Sequence, residues 1–143
     1  AFGTIDYAVD LGLPEPAGAE TSSSLALDLP ATSIALASRV AELPAPVAGV
    51  TLAIDAGLVE RDMRHMHALG FGAKMCIHPA QVAAVHAVLQ PTADQLAWAQ
   101  RVLAAWQAGG SGVLQLDGRM VDKPVILRAQ RIVAAAMPGP SAP

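Results

Sequence analysis

Three side chains with possible chemical roles each follow or end a short apolar run of the chain: Asp6, Asp55 and His78. A carboxylate can bind a metal ion or transfer a proton, and an imidazole can contact a substrate. Ordinary structural roles compete with these. Asp6 also suits a solvated strand end or a helix cap, and Asp55 is equally suited to cap the following helix. For His78, which precedes Pro79, a buried structural hydrogen bond is favoured over substrate contact.

The apolar runs that carry these residues are predicted to be β-strands, each followed by a helix. The predicted strands cover 1–5, 47–54 and 74–78, and the helices cover about 30–42, 58–69 and 81–89. Alternation of this kind implies right-handed crossovers and a parallel sheet, so the chain is placed in the α/β class. Because parallel strands end at one edge of a sheet, the three polar residues are expected to gather there.

The rest of the chain is predicted to form two helices around a hairpin. The first helix begins near Thr92 and ends at the glycine-rich residues 109–112. A strand or hairpin follows over 113–121, with the turn at Asp117-Gly118. A last helix begins near Pro124, and residues 138–143 are expected to be a disordered tail.

The composition excludes several classes of protein. With 53% hydrophobic and 15% charged residues, the chain is too apolar for a disordered protein. Nine basic against twelve acidic residues provide no cationic face for nucleic acid. No apolar run reaches the roughly 18 residues of a membrane span. The single cysteine, Cys76, can form no disulfide within the chain, which indicates a reducing compartment, the cytoplasm. Since the chain opens with Ala1 inside an apolar run, we expect it to be a piece of a longer protein.

Three segments, in order, carry a family resemblance. Residues 2–12 resemble the FGxxDxxxDLG stretch of the citrate lyase beta-subunit-like family, within the HpcH/HpaI aldolase and citrate lyase group. Residues 68–81 resemble that family's ALGFxGKxxIHPxQ segment, and residues 116–124 are similar to its DGxMVDxP element. The resemblance implies the carboxyl-terminal part of a TIM (β/α)8 barrel. Residues 1–90 would be its last three βα units, and 91–137 a helical and hairpin extension.

The resemblance also implies an activity. Members are Mg²⁺-dependent lyases that cleave or form carbon-carbon bonds of 3-hydroxyacyl-CoA thioesters such as citryl-, malyl- or citramalyl-CoA. The aspartate matching Asp6 is a metal ligand, while a partner glutamate and a substrate-binding arginine would precede Ala1. The aspartate matching Asp122 acts as acid or base in a neighbouring subunit's site, which implies a homotrimer or a multiple of it. Mg²⁺ suits this reaction because it binds one or two carboxylates together with substrate oxygens.

The assignments leave alternatives open. Asp122 precedes Lys123-Pro124, so it is equally well explained as the N-cap of the last helix. A class II aldolase that forms pyruvate from free hydroxy-keto acids belongs to the same superfamily. It has no need of the DGxMVDxP element, and that tells against it. A third hypothesis is an inactive fragment or assembly module, because the upstream glutamate and arginine are missing.

The remaining reactive side chains are given structural roles. His65 and His67 lie two residues apart on a predicted helix, so they face different directions and make a poor metal pair. Cys76 is expected inside an apolar strand, as a small hydrophobic residue. Trp98 and Trp106 are expected to pack against neighbouring helices.

Overall fold

The chain forms two compact units, residues 1–89 and 90–143. The computed structural model describes residues 1–14, 24–109 and 114–136. In chain order the elements are α1 (Thr4–Asp10), α2 (Leu25–Val40), β1 (Val47–Ala48), α3 (Ala56–Ala68), β2 (Ala73–Lys74), α4 (Ala80–Leu89), α5 (Ala93–Gly109), β3 (Leu114–Leu116), β4 (Arg119–Val121) and α6 (Lys123–Ala136). The first six belong to the first unit and the last four to the second.

A short parallel sheet organises the first unit. β1 and β2 pair in parallel, with Ala48 opposite Lys74. Phe2 forms an isolated parallel bridge to the same residue, Ala48, through a 3.1 Å hydrogen bond from its amide to the carbonyl of Val47. The three segments therefore lie side by side in the order Phe2, β1, β2. The predicted α/β class with parallel strands is confirmed.

The predicted strands are too long, and the first prediction is wrong over most of its range. Residues 1–5 contain only the Phe2 bridge, because α1 already begins at Thr4. Asp6 therefore lies in the first turn of a helix and not at a strand end. The second predicted strand, 47–54, ends as β1 at Ala48. Beyond it, the carbonyls of Thr51 and Ala53 accept hydrogen bonds from the Gln81 side chain. An apolar run indicates burial, but a side chain here supplies partners that a neighbouring strand would otherwise supply.

The helix α2 begins five residues earlier than predicted. The sequence favours Pro30 in the first turn, whereas the helix starts at Leu25 and contains Pro30 in its interior. The amides of Leu27 and Asp28 both bond to the carbonyl of Ser24, which closes the first turn ahead of the proline. Proline removes one backbone hydrogen bond but does not prevent a helix whose first turn is already formed.

The helices α3 and α4 bury matching faces. In α3 the buried residues recur at the spacing of one helix face: Val59, Asp62, Met63 and Met66. In α4 they are Gln81, Ala84 and Val85. Val59, Met63, Ala84 and Val85 form one core cluster, and Phe2, Ala31, Ala48, Met66 and Phe71 form another. Both clusters contain residues of α3, so this helix packs against the parallel sheet on one side and against α4 on the other.

The second unit is a helical pair with a hairpin. α5 starts with a capping box, in which the Thr92 hydroxyl accepts from the Gln95 amide and Gln95 Oε1 accepts from the Thr92 amide. β3 and β4 are antiparallel, and both turn residues, Asp117 and Gly118, have positive φ. The predicted Thr92 cap and Asp117-Gly118 hairpin are confirmed. Trp98 and Trp106 pack against the core of this unit, as expected.

Some predictions lie outside the described residues: the tail 138–143, and residues 110–112 of the glycine-rich stretch. Among the helices that the structure describes, none combines the length and apolar character needed to cross a bilayer.

Candidate functional site at the carboxyl edge of the parallel strands

The segments that follow Phe2, β1 and β2 start at one edge of the sheet, because the three strands are parallel. We call this the carboxyl edge. Asp6 follows Phe2, the loop 49–55 follows β1, and the loop 75–79 follows β2. Sites in parallel α/β proteins form at such edges. The structure thus places Asp6, Asp55 and His78 on segments that leave the same edge.

Asp6 presents an exposed carboxylate that lies close to Gly3. A Cβ atom built on Gly3 would lie 3.0 Å from Asp6 Oδ2. Gly3 is the N-cap residue of α1 and has no side chain. The Asp6 carboxylate occupies the space that a side chain at position 3 would fill. The absence of a side chain at position 3 allows the Asp6 carboxylate to fold back towards the first turn of α1.

The start of α1 is packed tightly against the end of β1. A Cβ atom on Gly49 would lie 2.6 Å from the carbonyl oxygen of Phe2 and 3.3 Å from both the amide nitrogen and the hydroxyl oxygen of Thr4. Thr4 itself is buried. Only glycine fits this close approach of two backbones, so the position of Gly49 constrains the first turn that carries Asp6.

Asp55 has a structural role in this structure. Its Oδ1 accepts a 2.9 Å hydrogen bond from the amide of Leu58 and caps α3. Of the two roles that the sequence left equal for Asp55, the structure shows the cap.

For His78, the predicted structural hydrogen bond is present, but the predicted burial is wrong. The residue is exposed, and its Nδ1 accepts a 3.1 Å bond from the amide of Ala80, which places the proton of the neutral ring on Nε2. Cys76 is also exposed and lies after β2, so the prediction that it is buried inside a strand is wrong too. Both errors have one cause, since the third apolar run leaves the sheet at Lys74, before either residue.

The histidines of α3 are separated as predicted. His65 Nε2 lies 2.7 Å from Asp28 Oδ1, on α2. His67 donates from Nδ1 to the carbonyl of Phe71, 3.0 Å away. Asp28 lies on α2 and Phe71 in the segment between α3 and β2, so the two rings face different partners and do not form a metal pair.

A buried ion pair lies beneath the loop 49–55. Lys74 Nζ donates to Asp62 Oδ2 at 2.5 Å and to the carbonyl of Gly49 at 2.8 Å. The side chains of Lys74 and Asp62 are 2% and 7% exposed. The hydroxyl of Thr51 donates to the same carboxylate oxygen. Each buried polar group in this cluster has a partner, which is the condition for burying charge without a large cost.

Gln81 connects the loops after β1 and β2. Its Nε2 donates to the carbonyls of Thr51 and Ala53, at 2.9 and 2.8 Å, and its Oε1 accepts from the amide of Ile77 at 2.9 Å. The residue is only 1% exposed. The amide side chain therefore satisfies three backbone groups that the short strands leave without a ladder partner.

Sequence reasoning missed Asp62, Lys74 and Gln81. Lys74 and Gln81 lie within the segment 68–81 that carries the family resemblance, so their inclusion in that motif was a usable signal. Asp62 shares a helix face with Val59, Met63 and Met66, and a carboxylate at an apolar position indicates a buried partner.

Asp122 lies in the second unit and caps α6. Its Oδ1 accepts a 3.3 Å bond from the amide of Val125, while the residue is exposed. The bond is longer than the usual range for an amide donor, so the cap is a weak one. The cap that the sequence offered as an alternative is therefore present, and it occupies only one of the two carboxylate oxygens.

The described residues fit part of a magnesium site. Within 1–14, 24–109 and 114–136, no three His, Cys, Asp or Glu side chains form a group that could hold a metal ion. Mg²⁺ usually takes one or two protein carboxylates and fills its remaining positions with water and substrate oxygens. Asp6 offers one exposed hard oxygen donor, which suits one position of that shell.

The fold and the carboxyl edge define a mixed α/β protein with a polar site after parallel strands. No family model matches the chain. The chain is 35% identical over 136 residues to a citrate lyase subunit beta-like protein of Deinococcus radiodurans, covering 93% of this chain and 46% of the relative. It is 38% identical over 79 residues to the mitochondrial citramalyl-CoA lyase of Rattus norvegicus, covering 53% of this chain and 23% of the relative.

A solved structure shows the same fold. The crystal structure of the protein CitE from Mycobacterium tuberculosis, in complex with magnesium, acetoacetate and coenzyme A, matches with a TM-score of 0.78 at 30% identity. The match covers 94% of this chain and 50% of that one. The resemblance to the citrate lyase beta-subunit-like family is thereby confirmed, and the chain spans about half the length of the relatives that it matches over most of its own length.

Proposed function

We propose that this chain is the carboxyl-terminal part of a Mg²⁺-dependent carbon-carbon lyase that cleaves or forms 3-hydroxyacyl-CoA thioesters. Citryl-, malyl- and citramalyl-CoA are the candidate substrates, and the products are a keto acid and an acyl-CoA. The observation that carries the proposal is the 35% identity to a citrate lyase subunit beta-like protein over 93% of the chain. The exposed carboxylate of Asp6 at the carboxyl edge agrees with it.

The proposed architecture is a TIM barrel of which residues 1–90 form the last three βα units. The parallel order Phe2, β1, β2, with helices after each segment, supports this assignment. Residues 91–137 would be a helical and hairpin extension.

Asp6 is the proposed metal ligand. When bound, Mg²⁺ would hold the carboxylate and carbonyl oxygens of the keto acid together and stabilise negative charge on them. Asp6 would contribute one carboxylate oxygen. Because Gly3 has no side chain, there is space beside it for this carboxylate. A further ligand is expected from the glutamate that the family resemblance places before Ala1.

Asp122 is the proposed acid or base. In cleavage, the hydroxyl proton passes to solvent, the oxygen that carried it becomes the keto oxygen, and the bond between C2 and C3 breaks. The electron pair of that bond remains on the acyl-CoA as an enolate, whose carbon then takes a proton. Asp122 would donate that proton, and in condensation it would remove it. One of its oxygens caps α6 at 3.3 Å, which leaves the other for proton transfer.

Assembly and compartment complete the proposal. We expect a homotrimer or a multiple of it, in which Asp122 serves the site of a neighbouring subunit. Light scattering would measure the mass of the assembly and so the number of subunits. A cytoplasmic location agrees with a chain whose single cysteine, Cys76, is exposed.

The reaction is tested by release of keto acid from each of the three CoA esters in the presence of Mg²⁺, using the protein that contains this chain. Activity with at least one ester is expected, and no release at any Mg²⁺ concentration would rule the lyase out. The isolated 143 residues are expected to be inactive, because the family resemblance places a partner glutamate and a substrate-binding arginine before Ala1.

Asp122→Asn separates the lyase from the class II aldolase. Asparagine can still cap α6 but cannot transfer a proton, so lyase activity should fall by a factor of about 100 or more. Asp117→Asn, at an exposed residue of the same hairpin, is the control and should retain activity. Full activity of Asp122→Asn would favour the aldolase.

The metal assignment is tested with Mn²⁺ as a paramagnetic probe of the ¹⁵N-labelled protein that contains this chain. Amide signals around Asp6 should broaden selectively at low Mn²⁺ concentration, and Asp6→Asn should abolish this broadening. Asp10→Asn removes a carboxylate from the same helix and should leave the broadening in place. Equal loss in both variants, or broadening centred elsewhere, would contradict the assignment.

A further inference from the structure

We infer that Lys74, Asp62 and Gln81 are positioning residues that hold the carboxyl-edge loops and, through Gly49, the helix turn that presents Asp6. We call these three residues the polar clamp. The inference rests on the proposed function only in treating Asp6 as a metal ligand.

The first step is the attachment of the loop 49–55 to the ion pair. Lys74 Nζ bonds to the carbonyl of Gly49 at 2.8 Å, and Asp62 accepts from the hydroxyl of Thr51. The loop is thus held at two positions close to its start. Because Lys74 lies on β2 and Asp62 on α3, the loop is fixed relative to both the sheet and the helix behind it.

The second step is the link between the two loops. Gln81 bonds to the carbonyls of Thr51 and Ala53 and also to the amide of Ile77 in the loop 75–79. A displacement of either loop must break at least one of these bonds. The two loops therefore move together or not at all.

The third step connects the clamp to Asp6. Gly49, whose carbonyl is held by Lys74, lies so close to Phe2 and Thr4 that there is no space for a Cβ atom between them. Thr4 begins α1, and Asp6 lies in the same turn. A shift of Gly49 is therefore transmitted by direct contact to the backbone that carries the Asp6 carboxylate.

Burial separates this role from a catalytic one. The side chains of Lys74 and Asp62 are 2% and 7% exposed, and Gln81 is 1% exposed. The polar groups of all three bond to the protein: Gln81 to backbone atoms, Asp62 to the side chains of Thr51 and Lys74, and Lys74 to Asp62 and one backbone carbonyl. Such groups act on a ligand through the residues they orient, and their removal commonly weakens metal binding by a factor of about 10 to 100.

Two variants test the clamp in the full chain. The double variant Lys74→Met with Asp62→Leu removes both charges, so no charge is left unpaired in the interior. Gln81→Met removes the three hydrogen bonds of the side-chain amide and keeps the length of the side chain. The control is Arg64→Met with Glu60→Leu, which removes a more exposed ion pair, 2.7 Å long, from the same helix α3.

Four measurements are made on each variant: circular dichroism for folding, amide chemical shifts of residues 3–6 without metal, hydrogen exchange of the Ile77 amide, and Mn²⁺ broadening at Asp6. The double variant should stay folded, shift the amides of residues 3–6, and bind Mn²⁺ at Asp6 about tenfold more weakly. In Gln81→Met the Ile77 amide should exchange with solvent faster. The control should match the native chain in all of these properties.

The inference is overturned if the double variant, while folded, keeps native shifts at residues 3–6, or native Mn²⁺ affinity at Asp6. Should the double variant not fold, the same measurements on Gln81→Met decide. If the native chain shows no Mn²⁺ broadening at Asp6, the metal assignment fails, and the clamp is then decided by the metal-free shifts alone. The two failures are thus distinguishable.

Discussion

Gly49 and Phe2 approach each other so closely that a Cβ atom on Gly49 would lie 2.6 Å from the Phe2 carbonyl oxygen. The obstacle is backbone and not the end of a flexible side chain, so it cannot rotate away. This contact joins the end of β1 to the segment that leads into α1.

Gly49→Ala should therefore destabilise the first unit. Relieving the overlap requires a shift of the Phe2 bridge, and we expect a loss of about 1–3 kcal/mol. Urea unfolding followed by circular dichroism measures the change. Gly57→Ala, inside α3, is the control and should change the stability by no more than about 1 kcal/mol, since alanine favours the helix and the atom 3.3 Å from the added Cβ, Asp55 Oδ1, belongs to a side chain that can move. Equal stability of Gly49→Ala and the native chain would contradict the close approach.

Lys74→Met alone should be strongly destabilising. It leaves the buried Asp62 carboxylate with the hydrogen bond from the Thr51 hydroxyl but without its cationic partner, and breaking a buried pair costs about 3–5 kcal/mol. Adding Asp62→Leu should restore most of that stability, because the second change removes the unpaired charge. Urea unfolding of the two single variants and the double variant gives the coupling free energy between Lys74 and Asp62. Additive losses in the double variant would show that the pair is not coupled.

Asp55→Ala should remove the cap of α3. The lost bond to the Leu58 amide, 2.9 Å in the native chain, should cost about 1 kcal/mol. Asp55→Asn keeps an oxygen acceptor and should stay within about 0.5 kcal/mol of the native stability. The comparison uses thermal unfolding by circular dichroism. A loss of equal size in both variants would indicate that the charge of Asp55, and not its cap, stabilises the unit.

Gly118→Ala should destabilise the hairpin of the second unit. Gly118 has φ +74°, a left-handed conformation that costs a residue with a Cβ about 1–2 kcal/mol. Both tryptophans of the chain, Trp98 and Trp106, lie in this unit, so their fluorescence reports its unfolding. Asp117→Asn is the control: asparagine tolerates positive φ, and the exposed Asp117–Arg101 ion pair contributes little. A stability loss in Asp117→Asn as large as that in Gly118→Ala would argue against the turn geometry as its cause.

The sequence by itself determined the α/β class, the positions of most helices, the Thr92 cap and the Asp117-Gly118 turn. These features depend on local patterns: the spacing of apolar residues, capping side chains, and glycine where φ is positive. The three motifs were equally local, and they were sufficient to indicate the family.

Only the tertiary structure decided where the strands end and what holds the loops after them. Strand length depends on which backbone groups find partners, and here Gln81 and Lys74 supply partners from distant positions in the chain. The same holds for Asp62, whose carboxylate is acceptable on an apolar helix face only because Lys74 reaches it from β2. An apolar pattern records that a position is buried, but the identity of a buried polar partner depends on the folded arrangement of segments that are far apart in sequence.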